Sequence, residues 1–228
     1  MNIQRNSHQM SISETEGELL APLEDYLKAG VHIGTSSGMK SMEWAIYRTR
    51  SDGLYVLDVH KTDERIRVAA QFLSRQNIAQ VVVCSVRAYG IFPVEMFCKV
   101  TGATPITGRF IPGIFTNPNI KGRYHYLEPT SVVITDPHFD RQALKEAARV
   151  GIPVISLVDT DNVTRYVDLA IPCNNKGRNS LAMIFWLLTK EFLKEKGELT
   201  PERDAQLRVE HFRAPRGRRP TPASDMGY

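Results

Sequence analysis

The sequence predicts an α/β fold: a three-layer doubly wound sheet of about five mostly parallel strands flanked by helices. Three observations carry this. A complete strand–helix–strand unit occupies the middle of the chain. Residues 131–135 are a short β-branched run, Asp140 stands where a helix N-cap is expected, and Ala143, Leu144 and Ala147 fall on one helical stripe. Gly151 stops that helix and Pro153 admits a second apolar run ending at Asp159 and Asp161. Next, residues 80–86 are nearly all apolar, as expected for a parallel strand covered on both faces. Finally, strand-like and helix-like segments alternate along the chain without an internal repeat.

The elements follow in order. Residues 1–17 are polar, without an apolar stretch, and predict a mobile N-terminal tail with no signal peptide. A helix begins near Pro22, with Leu23, Tyr26 and Leu27 on one face, and ends near Gly30. Residues 34–38 are a loop, and 54–58 read as the first central strand. Thr62 is read as the cap of a helix running to about Arg75, with Ile66, Ala69, Ala70 and Leu73 facing the core. After the strand at 80–86, a helix over about 93–100 returns the chain to a strand at 103–107. Residues 108–129, rich in Gly, Pro and Asn, form a long irregular insertion of the kind that serves function or a partner. The central unit, a short strand at 169–171 and a final helix over about 180–196, ended by Gly197, complete the fold. The whole is flavodoxin-like. The implied organisation is a tail at 1–17, an α/β domain at 18–199 and a basic extension at 200–228.

Net charge is +4, unevenly spread. Residues 208–228 hold five arginines against Glu210 and Asp225, a net of +3, which leaves +1 for residues 1–207. Any nucleic-acid interaction therefore rests on local patches and the tail. The three cysteines, Cys84, Cys98 and Cys173, are odd in number and never spaced as C-x-x-C, which fits a reducing cytosolic setting. The longest apolar run, 181–188, is too short to span a bilayer and reads as a buried helix.

Five constellations are candidates for chemistry. Asp159 and Asp161 close a parallel strand, where open α/β sheets bind ligands; turn hydrogen bonds are the simpler role for two such aspartates. His138 lies near Asp136 and Asp140 but beside no nucleophile, and His32 and His60 lack metal-ligand spacing, so no catalytic or metal residue is assigned. The turn 174–180 puts Lys176 and Arg178 beside free amides at a helix start, a ready anion site that Asn179 or Ser180 would otherwise cap. In the insertion, Arg109, Lys121 and Arg123 are interleaved with aromatics, a pattern that suits RNA, whereas Phe110 and Phe115 are expected to plug the core. The tail carries Arg213, Arg216, Arg218 and Arg219 among Pro and Gly, and is expected to order only against a polyanion or acidic protein. Lys61, Arg65 and Arg87 complete the candidate RNA-contacting set.

A family resemblance runs through the same residues. The segments are Ala29-Gly-Val-His-Ile-Gly-Thr35, Leu54-Tyr-Val-Leu-Asp-Val-His-Lys-Thr62, Thr101-Gly-Ala-Thr-Pro-Ile-Thr-Gly-Arg-Phe110, Pro112-Gly-Ile-Phe-Thr-Asn117, Val133-Ile-Thr-Asp-Pro137 and Arg165-Tyr-Val-Asp-Leu-Ala-Ile-Pro-Cys-Asn-Asn-Lys-Gly177. In this order, over most of residues 20–196, they resemble the small-subunit ribosomal protein S-two family, in its archaeal and eukaryotic branch that includes the laminin receptor precursor. The resemblance implies a non-enzymatic, cytoplasmic component of the small ribosomal subunit near the junction of head and body and the messenger RNA exit. Its implied partners are small-subunit ribosomal RNA and neighbouring ribosomal proteins, with no cofactor, membrane or small-molecule substrate. The long coiled-coil hairpin of bacterial members has no counterpart between Asn117 and Glu128. The rival reading is a nucleotide- or sugar-phosphate-binding enzyme on the same fold, built on Asp159, Asp161 and the turn 176–180.

Overall fold

A computed structural model describes residues 19–120 and 125–215. Helix α1 (Leu23–Ala29) leads through a 3-10 turn (Lys40–Ala45) to β1 (Ile46–Thr49) and β2 (Tyr55–Leu57). Then come α2 (Val59–Ser74), β3 (Val81–Ser85), α3 (Ala88–Thr101) and β4 (Thr104–Thr107). After the insertion follow β5 (Ser131–Ile134), α4 (Arg141–Val150), β6 (Val154–Val158), β7 (Leu169–Pro172), α5 (Arg178–Glu195) and α6 (Pro201–Gln206). The central sheet has five parallel strands in the order β4-β3-β5-β6-β7. Counted within the sheet this is 2-1-3-4-5, the flavodoxin-like order, whose switch point lies between β3 and β5.

Alternation along each strand feeds two cores. Val81 and Val83, with Val133, Ile155 and Leu157, face helices α2, α3 and α5. Val82 and Cys84, with Val132, Ile134 and Val154, face the other side, where α4 supplies Ala143, Leu144 and Ala147. Here the insertion takes the place of a second helix. Phe110, Ile114 and Phe115 are buried against the strands, and the two phenylalanine rings meet edge to face at 5.2 Å. The expected core-plugging role of both phenylalanines is what the fold displays. Buried Glu146 of α4 anchors this loop by accepting from Gly113 N (2.8 Å), Phe115 N (3.2 Å) and Thr116 Oγ1 (3.4 Å). An irregular segment can lie on a sheet only when its amides are satisfied in this way.

Several expectations are corrected. The strand at 54–58 does not enter the central sheet. β2 pairs antiparallel with β1, which the sequence reading missed, and Tyr55 and Val56 stay half-buried. An apolar run long enough for a parallel strand does not specify its partner. Thr62 is not a cap. The Asp58 side chain caps α2 by accepting from His60 N at 3.0 Å, while the buried Thr62 hydroxyl donates to Pro172 O at 2.6 Å and ties α2 to β7. Of the α1 face only Tyr26 is buried; Leu23 and Leu27 are exposed. α3 begins at Ala88, so Pro93 lies inside it. Its missing N–H would have bonded the carbonyl of Tyr89, a residue on the exposed side. Gly30 and Gly151 end their helices with φ of 73° and 80°, as expected for the left-handed position.

Among the described residues the last α-helix is α6, and residues 207–215 beyond it are part of the body. A 3-10 turn (Val209–Phe212) packs on α3 and α5, burying Phe212 and Ala214. The expectation that the tail orders only against a polyanion or acidic protein is therefore overturned for residues 208–215.

Candidate RNA-contacting surface and the switch point

The carboxyl ends of β3, β5, β6 and β7 converge where this fold offers a ligand crevice. Here the chain's own side chains fill it. After β3, Arg87 Nε reaches Asp136 Oδ2 at 2.5 Å, and its guanidinium lies 4.3 Å from the centre of the Phe139 ring. Asp136 is fully buried, and its other oxygen accepts from His138 N at 2.8 Å and Asn162 Nδ2 at 3.5 Å. Asp140 holds the N-cap position of α4 but makes no capping bond. Its carboxyl instead takes Val86 N at 2.8 Å and both Asp136 N and Thr135 Oγ1 at 3.0 Å, bolting the β3 and β5 exits together.

Burial raises the Asp140 carboxyl from 3.8 to about 7, against its three hydrogen bonds and helped by the neighbouring Asp136 charge. Between about pH 4 and 7 the folded chain thus keeps a proton that the unfolded chain releases. This group's contribution to stability therefore falls as pH rises through that window and is level above it. Asp140→Asn should flatten that part of the stability profile. Urea midpoints of both proteins between pH 4 and 8 provide the check, and identical slopes would show that Asp140 ionises normally.

After β6, Asp159 and Asp161 face Lys176 from the β7–α5 turn, with Nζ at 3.2 Å and 2.6 Å from their Oδ2 atoms. Burial raises the Asp159 pKa, partly offset by the Lys176 charge. Its Oδ1 accepts from Thr160 N at 2.7 Å, the turn bond that the sequence favoured. Asn162 Oδ1 accepts from Asp159 N and from Asn175 Nδ2, both at 2.8 Å. Neither asparagine was singled out from the sequence. Such bridging amides are legible only once β6 and β7 are adjacent.

At the start of α5 the amides of Lys176 and Gly177 donate to Asn174 Oδ1, at 3.1 Å and 2.9 Å, so Asn174 makes the turn in place of Asn179 or Ser180. A Cβ at Gly177 would stand 3.2 Å from Asn174 Nδ2. Arg178 Nη1 donates to Ala214 O at 2.8 Å.

The candidate RNA contacts divide by location. Lys61 donates to Trp44 O, and Arg65 stacks 5.0 Å from the Trp44 ring centre. Arg87, Lys176 and Arg178 have the partners given above. Arg109 is exposed, just beyond the carboxyl end of β4. Arg213 is half-buried, its Nε without a hydrogen-bond partner. Lys121, Arg123, Arg216, Arg218 and Arg219 lie outside the described residues. His32 and His60 line one cleft with Arg48 and Arg50, and burial lowers the His32 pKa. Among the described residues no cluster of His, Cys, Asp and Glu is arranged to hold a metal ion, and no helix is long and apolar enough to cross a membrane.

Comparison with known proteins accords with this geometry. The family model for Ribosomal protein S2 matches residues 119–194. The Staphylothermus marinus protein named small ribosomal subunit protein uS2 is 59% identical over 187 residues, covering 82% of this chain and 84% of the relative. The uS2 protein of Pyrobaculum calidifontis is 49% identical over 201 residues, covering 87% and 95%. Identity at this level across nearly the whole α/β body means that the chain belongs to the small ribosomal subunit protein uS2 family.

Proposed function

We infer that this chain is a structural constituent of the small ribosomal subunit, residing there in the cytoplasm, and not an enzyme. The observation that carries the reading is the 59% identity over 82% of the chain to a protein named for that subunit. The geometry agrees: Arg87, Asp136, Asp140, Asp159 and Lys176 occupy one another in the crevice where a nucleotide-binding relative of this fold would hold its ligand. A screen of nucleotides and sugar phosphates by thermal shift should accordingly give no saturable stabilisation. Co-sedimentation with small subunits over a salt series tests the main reading directly; a chain that stays in the free fraction at low salt would overturn it.

The finer reading places small-subunit ribosomal RNA and neighbouring ribosomal proteins against the basic edges, near the head–body junction and the messenger RNA exit. The candidate contacts remain Lys61, Arg65, Arg87, Arg109, Lys121, Arg123, Lys176, Arg178, Arg213, Arg216, Arg218 and Arg219. Lys176 and Arg178 already serve the fold, so their substitution would mix stability with binding. Arg109 is the cleaner probe because it is exposed and no internal partner is seen for it among the described residues. Arg109→Ala should leave the melting temperature unchanged and lower the salt slope of subunit binding by about one unit, as for one lost phosphate contact. An unchanged slope would remove Arg109 from the interface.

A further inference from the structure

We propose that Tyr166, Arg165 and Asp168 form a seat for one unpaired RNA base that carries an exocyclic amino group. The proposal rests on the ribosomal RNA reading above and adds a site outside the basic set considered there.

It begins from backbone strain. Residues 164–167 form a tight turn closed by Val167 N donating to Thr164 O at 3.1 Å. Tyr166, the third residue, has φ of 68° and is the only non-glycine residue with positive φ among those described. Arg165, before it, does not share that sign. This is the type II position, where glycine or asparagine fits and a bulky side chain is strained. Such strain persists where something else holds the residue or uses it. Core packing is not the explanation, because Tyr166 is 47% exposed.

The surroundings state the chemistry. The Arg165 guanidinium lies 4.7 Å from the Tyr166 ring centre. The ring borders an open cleft of about 490 Å³ shared with Ile152, Pro153 and Asp168, between the end of α4 and the start of β7. Exposed Arg149 stands in the last turn of α4, close to this cleft in sequence. Asp168 Oδ2 accepts from Val154 N at 2.8 Å, which fixes the carboxylate and leaves Oδ1 to act as an acceptor. An aromatic ring backed by a guanidinium is a stacking platform for a base. The exposed Arg165 also attracts a phosphate that flanks it. A fixed carboxylate oxygen accepts from an amino group on cytosine, adenine or guanine. Uracil offers its ring N–H only between two carbonyl oxygens, which the carboxylate repels. A neighbouring protein would use the apolar cleft wall but has no need of this combination of ring, cation and acceptor.

The test uses the full chain with Tyr166, Tyr166→Phe or Tyr166→Gly, added to small subunits depleted of it. Tyr166→Gly relieves the strain, so the free variant should melt at or above the parent temperature. Its affinity for depleted subunits should nevertheless fall about tenfold, as for loss of one base–aromatic stack. Tyr166→Phe, which keeps the ring, should bind within about twofold of the parent. In assembled subunits, ultraviolet cross-linking should join the peptide bearing Tyr166 to adenosine, cytidine or guanosine. Unchanged affinity of Tyr166→Gly, a lowered melting temperature, or a cross-link to protein or uridine at this position would overturn the proposal. RNA adducts elsewhere in the chain but none at residues 165–168 would end this proposal alone. Absence of RNA adducts throughout the chain would end the ribosomal RNA reading with it.

Discussion

Replacing Phe212 with alanine should destabilise the free protein by about 3–5 kcal/mol, the usual cost of emptying a buried aromatic site. In a chain of this size that is a fall in melting temperature of about 10 °C. Phe212 is fully buried and shares its core with Phe97 and Phe185. The strand of chain that carries it is held at intervals. Trp186 Nε1 donates to Leu207 O at 2.8 Å, Lys190 Nζ lies 2.7 Å from Asp204 Oδ1, and Arg178 Nη1 donates to Ala214 O at 2.8 Å. Removing residues 208–228 should therefore lower the melting temperature at least as far as Phe212→Ala does. A truncation that melts like the full chain would mean that the segment contributes nothing to the body. Residues 207–215 are thus fastened across α5, with Ala214 beside the turn 176–178.

Arg87→Ala should cost a similar amount, about 3–5 kcal/mol, for a different reason. Asp136 is fully buried, and Arg87, with a fifth of its side chain exposed, is the cation beside it. Removing the guanidinium leaves a buried carboxylate held only by His138 N and Asn162 Nδ2. It also uncovers the Phe139 ring that the guanidinium overlies. The double variant Arg87→Ala/Asp136→Asn should recover much of the loss, since no unpaired charge then remains in the crevice. Chemical denaturation of the three proteins measures both terms. A double variant as unstable as Arg87→Ala would show that packing on Phe139, and not the buried charge, dominates.

Much of the fold was legible because its signals are local. The β-branched runs of β5 and β6, the helical stripe of α4 and the glycine stops at Gly30 and Gly151 each depend on a few adjacent residues. So does the choice of Phe110 and Phe115 as core residues, which apolar character alone suggests in an otherwise polar loop. The pairing of the catalytic-looking residues was not legible. Asp140 looks like a helix cap in sequence, yet one of its partners, Val86 N, is 54 residues away. Lys176 looks like a free phosphate ligand, yet it closes on Asp159 and Asp161 once β6 and β7 lie side by side.

Residue type and spacing along the chain were enough for the class of the fold, the family and the burial of the central strands on both faces. Those need no knowledge of what lies opposite. Tertiary structure alone decided that β2 leaves the central sheet for β1, that the chain beyond α6 returns to bury Phe212, and that the crevice is filled by ion pairs. Each of these joins segments far apart in sequence. A strand edge, an apolar ring or a charge can be satisfied by many partners, and only the packed arrangement selects one.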